Sequence, residues 1–227
     1  MIYDGAVVVA SCSKPPYPRT WSALAALIAR WWPDRPWPLY LATDALPRDV
    51  KIPTAFGYDG VLVSGAPVDA WGRSLIASLR QIDARWVLLL MDDYFATGRW
   101  ETETLERVLT AAALADAHYL RVCPVPGPDA PHARIPGVGI CTPGAEYRCS
   151  LQAAFWQRDY LMRLARDIAT PWRFELDQRG DPAALHLSVT RDLWPTPYSE
   201  ALKRGVWLEA GAEACRKGGV AWPGATS

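Results

Sequence analysis

Residues 87–95 read VLLLMDDYF. A short apolar run, Val87 to Met91, stops abruptly at Asp92 and Asp93 and is followed by two aromatics. A run of this length bounded by polar residues reads as a buried strand. Adjacent carboxylates repel one another and are costly to desolvate. Their place at the end of such a strand therefore calls for something that offsets the charge. Mg²⁺ or Mn²⁺ would do so, because a hard cation takes one or two carboxylates and completes its shell with water and phosphate oxygens. The plain alternative is an acid pair that caps the next helix or faces solvent.

The flanking sequence repeats the pattern of short strand and amphipathic helix. GAVVVASC (5–12), WPLYLATD (37–44), DGVLVSG (59–65) and Arg85 to Met91 read as four strands, and AHYLRVCP (117–124) as a fifth. Between them, Arg19–Trp32, Ala70–Ile82 and Thr102–Ala115 carry apolar residues at helical spacing: Leu24, Leu27, Ile28 and Trp31; Trp71, Leu75, Leu79 and Ile82; Leu105, Val108, Leu109 and Ala112. This alternation predicts an α/β fold, a mostly parallel central sheet flanked by helices, in a single domain spanning 1–227. Residues 124–144 are rich in Pro and Gly and too long for a simple connector, so they are expected to form a functional loop or an irregular hairpin. EYRCSLQAAFW (146–156) is expected as a strand leading into a helix over Gln157–Ile168. The last forty or so residues read as loop-rich, with GVWLEA as a short strand and EACRKGG as a helical tail.

Composition narrows the function classes. Half of the 227 residues are hydrophobic and 21% are charged, an ordinary globular balance, and Lys plus Arg equals Asp plus Glu at 24 each. No basic excess points to nucleic acid and no basic run to a membrane surface. No apolar run approaches the ~20 residues of a membrane span, and no signal-peptide pattern is visible. The five cysteines show neither zinc spacing nor a paired motif, so reduced thiols and a cytoplasmic location are expected. Twenty prolines suggest stiffened loops, and twelve tryptophans suit carbohydrate surfaces as readily as core packing.

In an open α/β sheet, ligands lie beyond the carboxyl ends of the strands. Three such ends are polar here: Ser11-Cys12-Ser13, Thr43-Asp44 and Asp92-Asp93. In order, VVVASC, WPLYLATD, WGRSLIASLRQIDARWVLLLMDDYF, YRCSLQAAFWQRDYL and PWRFELD resemble the GT-A-fold glycosyltransferases, and within them compact bacterial, family 2-like enzymes, over roughly residues 5–180. The resemblance implies a transferase that moves a sugar from a nucleoside-diphosphate sugar to a hydroxyl of a carbohydrate or small-molecule acceptor. It further implies metal dependence, with Mn²⁺ or Mg²⁺ held by Asp93 and Asp92 as a contiguous variant of the family's Asp-x-Asp motif, and inversion at the sugar. Residues 1–123 would form the donor-binding half and 124–227 the acceptor-binding half. Polysaccharide assembly or a natural-product pathway would be the setting.

Matching positions then imply the site. Ser11, Cys12, Ser13 and Tyr17 would wrap the nucleotide. Asp44 would meet base or ribose, a role that a carboxylate suits because it accepts two hydrogen bonds, unless it caps the turn TDALP. Trp71, Arg73 and Ser74 would open the helix near the diphosphate, and Asp92 would join them. Gln152, Trp156 and Trp172 would face the acceptor. Glu175 would be the general base, partly desolvated by Trp172 and Phe174, with Asp177 as the second choice.

Two other readings compete: a sugar-phosphate nucleotidyltransferase, for which Lys14 is present but the Gly-rich loop is absent, and a non-catalytic sugar or nucleotide binder of the same fold. No P-loop, Gly-x-Ser-x-Gly or Gly-x-Gly-x-x-Gly motif appears. His118, His132 and His186 lack metal-ligand spacing, His186 falling in a stretch that reads as loop.

Overall fold

The computed structural model describes residues 4–48 and 53–225. In chain order the elements are β1 (Gly5–Ala10), α1 (Thr20–Trp31), β2 (Leu39–Thr43), β3 (Gly60–Val63), α2 (Trp71–Leu79), β4 (Trp86–Met91), β5 (Tyr94–Ala96) and α3 (Thr102–Leu114). The second half holds β6 (Ala117–Arg121), β7 (Ala130–Pro131), β8 (Val138–Ile140), β9 (Ala154–Gln157), α4 (Arg158–Leu164), α5 (Pro171–Asp177) and β10 (Leu185–Val189). It closes with β11 (Tyr198–Glu200), β12 (Leu202–Lys203), β13 (Val206–Trp207) and α6 (Glu209–Gly218).

Among the described residues, nine strands form one sheet in the order β3-β2-β1-β4-β9-β6-β10-β8-β7. β3, β2, β1 and β4 run parallel. β9 opposes both β4 and β6, and β8 opposes β10. The fold is thus a mixed α/β single domain around a mostly parallel sheet, as expected.

Side-chain alternation divides the core into two. Val7 and Val9 of β1 and Trp86, Leu88 and Leu90 of β4 face a core closed by α1, α3 and α6. Val8, Val87 and Leu89 face the second, closed by α2, α4 and α5. Burial on both faces explains the continuous apolar runs that made these strands legible. At the start of α2, a Cβ on Gly72 would lie 2.0 Å from the Ala165 carbonyl oxygen, so only glycine lets this helix pack on the end of α4.

Two sequence expectations change, and two further segments take a definite form. The segment 146–153 is turn, not strand, and β9 begins only at Ala154. The Pro/Gly segment takes the hairpin alternative, as β7–β8, and extends the sheet edge. Tyr94 and Phe95 lie on β5, which pairs antiparallel with β11. Most consequentially, the stretch around His186 is no loop. It is β10, inserted between β6 and β8, with His186 fully buried.

Candidate active site at the carboxyl rim of the sheet

Register assembles the rim. Ala10 pairs with Ala42 on one side and Met91 on the other, so Ser11, Thr43 and Asp92 come level at the carboxyl edge. Because β9 runs the other way, it starts where β4 ends, with Ala154 opposite Leu89. The residues just before it, Ser150 to Ala153, therefore lie at the same edge.

Asp92 is 3% exposed. It accepts a hydrogen bond from the Ser11 hydroxyl, which in turn accepts one from Trp21 Nε1 at 2.7 Å. Burial, then the neighbouring Asp93 charge, pushes its carboxyl well above the usual range despite the Ser11 bond. Burial and then Glu200 push Asp93 up to about 7. Glu200 lies on β11 directly across from Tyr94, and Ala201 N donates to the Asp93 carbonyl at 2.7 Å. No pattern in PYSEAL announces this acid at the rim, because only the pairing of β11 with β5 brings it there.

Asp44, 5% exposed, holds Ser13 by both oxygens, accepting from its N–H and its hydroxyl at 2.6 Å each. It thereby ties the end of β2 to the loop after β1. Within that loop, burial pushes the Cys12 thiol up to about 11, which keeps it protonated. Tyr17 is raised by burial and then by the charge of Asp92.

Across the rim, Ser150 Oγ and Leu151 N–H both donate to Glu175 Oε1, at 3.0 and 2.7 Å. Oε2 has no hydrogen-bond partner among the described residues. On α5 the i, i+3, i+4 spacing puts Trp172, Glu175 and Leu176 on one face. That face lines a cavity of about 860 Å³, together with Lys14 to Tyr17, Tyr147, Arg204 and Gly205. The cavity thus joins the loop after β1 to the second half of the chain. Buried Tyr94 is raised by burial and then by the charges of Asp93 and Glu175, and it stacks on Tyr198 at 4.5 Å.

Several expected residues fall elsewhere. Trp156 is fully buried among Tyr119, Tyr160 and Phe174, so it is core and not an acceptor contact. Both faces of β9 are covered, which leaves it no open side. Asp177 is exposed in an i, i+4 ion pair with Arg173 at 2.8 Å and does not line the cavity. Phe174 points into the second core and Trp172 is 53% exposed, so the two flanking aromatics diverge around Glu175. Gln152 accepts from the Tyr198 hydroxyl, near the rim. Trp71 packs edge-on against Phe174, Ser74 bonds Ser64 at 2.8 Å, and Arg73 is exposed on the first turn of α2.

Sequence reasoning missed two buried arginines that bind the second half together. Arg148, 2% exposed, donates to the carbonyls of Cys141, Arg179, Asp181 and Ala184 at 2.6–3.2 Å. Arg121, 1% exposed, reaches the Tyr147 carbonyl at 3.0 Å. Beside them, His186 Nδ1 faces the Arg148 carbonyl and Nε2 faces the Tyr160 hydroxyl at 2.7 Å. A carbonyl only accepts, so Nδ1 carries the proton and Nε2 accepts from Tyr160.

Burial, then Arg148, pushes His186 down to about 3. Between that value and the ordinary ~6.5 the unfolded chain binds more protons. The contribution is therefore full above about pH 6.5 and lost, at up to about 1.4 kcal/mol per pH unit, as pH falls. His186→Gln is expected to flatten the acid side of the stability curve in urea titrations between about pH 7 and pH 4. An unchanged slope would refute this assignment.

Among the described residues, no three of His, Cys, Asp and Glu converge as a metal cluster. Asp92 and Asp93 still fit a cation that brings further ligands of its own. They are adjacent hard donors whose burial disfavours charge, and no Lys or Arg among the described residues forms an ion pair with either. All five cysteines are free, and no helix among the described residues is long and apolar enough to cross a membrane.

No family model and no curated protein sequence matches the chain. Solved structures do. A mycobacterial protein superposes with a TM-score of 0.50 at 14% identity, over 96% of this chain and 76% of its own. TarS of S. aureus matches with a TM-score of 0.47 at 16% identity, over 83% of this chain; this chain covers 35% of TarS. Glucosyl-3-phosphoglycerate synthase from Mycobacterium tuberculosis, solved with Mn²⁺, uridine diphosphate and glucosyl-3-phosphoglycerate, matches with a TM-score of 0.47 at 15% identity, over 96% of this chain and 81% of its own. The likeness at these identities is one of fold alone.

Proposed function

We propose that this chain is a glycosyltransferase that moves a sugar from a nucleoside-diphosphate sugar to an acceptor hydroxyl with inversion. The observation that carries the reading is the shared rim. Register and strand reversal bring Asp92 and Asp93 to the same edge of the sheet as Ser150 and Leu151, which hold Glu175, and Glu175 lines a cavity large enough for a small molecule. Residues 1–123 supply the donor side, apart from Lys14, which lines the cavity beside Glu175, and 124–227 the acceptor side.

Asp44 holds the loop after β1, whose Ser11, Cys12, Ser13 and Tyr17 would enclose the nucleotide. Ser11 fixes Asp92, and Asp93 with Asp92 would hold a Mn²⁺ or Mg²⁺ ion on the diphosphate. When bound, that ion supplies positive charge against the departing diphosphate. Glu175 Oε1 is fixed by Ser150 and Leu151, so Oε2 is the atom available to take the acceptor's hydroxyl proton. As the proton moves to Glu175, the hydroxyl oxygen bonds to the anomeric carbon and the sugar–diphosphate bond breaks with its electron pair on the diphosphate. No acid partner is then needed on the leaving group.

The test is calorimetric titration of uridine, guanosine and thymidine diphosphates with and without Mn²⁺, followed by turnover assays with the corresponding nucleotide sugars. One nucleotide is expected to bind at least about tenfold tighter with Mn²⁺, and Asp93→Ala to remove that gain. Binding indifferent to Mn²⁺ in both proteins would overturn the metal assignment. Nucleotide binding without turnover of any donor would mark a binder instead of a transferase.

A further inference from the structure

The cavity beside Glu175 carries more positive charge than a neutral hydroxyl compound requires. Lys14 enters it from the loop after β1 and Arg204 from the tip of the β12–β13 hairpin. Neither forms an ion pair among the described residues. Glu175, the one acid lining the cavity among the described residues, has Oε1 already engaged by Ser150 and Leu151. The two cations belong to one enclosure: a Cβ on Gly205 would lie 3.6 Å from Pro16, so the hairpin tip meets the loop that carries Lys14.

The backbone points to the same place. Arg204 and Gly205 have φ of 54° and 79° and form a two-residue turn with both residues left-handed. Such turns favour Asn, Asp and Gly, and a long side chain there is strained. Tyr147, with φ of 52°, lines the cavity as well, its carbonyl held by buried Arg121. Four non-glycine residues among those described have positive φ, and two of them line this one cavity. Strain of this kind clusters where a ligand is gripped. Trp172 and Leu176, each about half exposed, supply an apolar wall.

We infer that the acceptor carries an oxyanion, carboxylate or phosphate, on an apolar or aromatic body. The anion is held between Lys14 and Arg204 by charge-assisted hydrogen bonds, and the body lies on Trp172. This rests on the reading of Glu175 as base, but its test does not need turnover. Phenyl phosphate, benzoate and uncharged benzamide are titrated calorimetrically into the wild-type protein, Lys14→Met and Arg204→Asn. Asparagine suits the turn, so the hairpin is kept while the charge is removed.

At least one anion is expected to bind roughly tenfold or more tightly than benzamide, and each variant to lose most of that preference. Whichever of phenyl phosphate and benzoate binds tighter identifies the group. Equal binding of all three probes, or a preference unchanged in both variants, would overturn the proposal. So would displacement of the bound anion by uridine diphosphate alone, because the cations would then belong to the donor's diphosphate. If Glu175→Gln keeps full turnover while the anion preference persists, the base reading fails and the anion site stands.

Discussion

Glu175→Gln is expected to lower kcat by a factor of roughly 10² to 10⁴, the range that a positioned general base contributes, with the KM for the nucleotide sugar little changed. The amide oxygen can still accept from Ser150 Oγ and Leu151 N–H, so the turn before β9 keeps its anchor and the cavity its shape. What is lost is the proton acceptor at Oε2. Steady-state kinetics of the variant, once a donor is known, separate the two roles. A drop in kcat at constant donor KM indicates a missing base, whereas parallel loss of thermal stability would indicate that Glu175 mainly holds residues 150–151. Near-wild-type kcat would sink the assignment and move attention to the acids around Asp93.

Arg148→Ala is expected to destabilise the fold by about 3–5 kcal/mol, near the cost of breaking a buried charged network. The guanidinium is the common donor for four carbonyls from two segments: Cys141 after β8, and Arg179, Asp181 and Ala184 in the connection between α5 and β10. Truncation leaves those acceptors buried without partners, at about 1–3 kcal/mol for each that water does not reach. Lysine should recover only part of the loss, since a point ammonium cannot replace a planar fork spanning four acceptors. Urea denaturation measures both variants. A change in stability below about 1 kcal/mol would show that the segments are held by packing alone.

The reading from sequence was strongest where structure is local. The apolar runs of β1 to β4 and the spacing on α1, α2 and α3 were legible because each strand is covered on both faces and each helix on one. The abrupt end of VLLLMDDYF marked a rim, and Ser11, Asp44 and Asp92 do meet there. Legibility failed where long-range pairing decides. LHLSV is too short and too mixed to announce itself as β10, yet between β6 and β8 it becomes a core strand and carries His186 inside. Trp156 carried no sign of being core instead of surface, because burial on both faces of β9 comes from helices distant in sequence.

The sequence by itself therefore determined the layered α/β plan and the acid pair at the end of β4, since periodicity acts over a few residues. Only the tertiary structure decided which acids share a space. It brought Glu200 opposite Tyr94, turned Ser150 and Leu151 onto Glu175, and set Arg204 against the loop of Lys14. Those meetings depend on strand register, on the reversed direction of β9 and on two buried arginines whose partners are largely backbone carbonyls, acceptors that every residue carries and that no side-chain pattern in the sequence reveals.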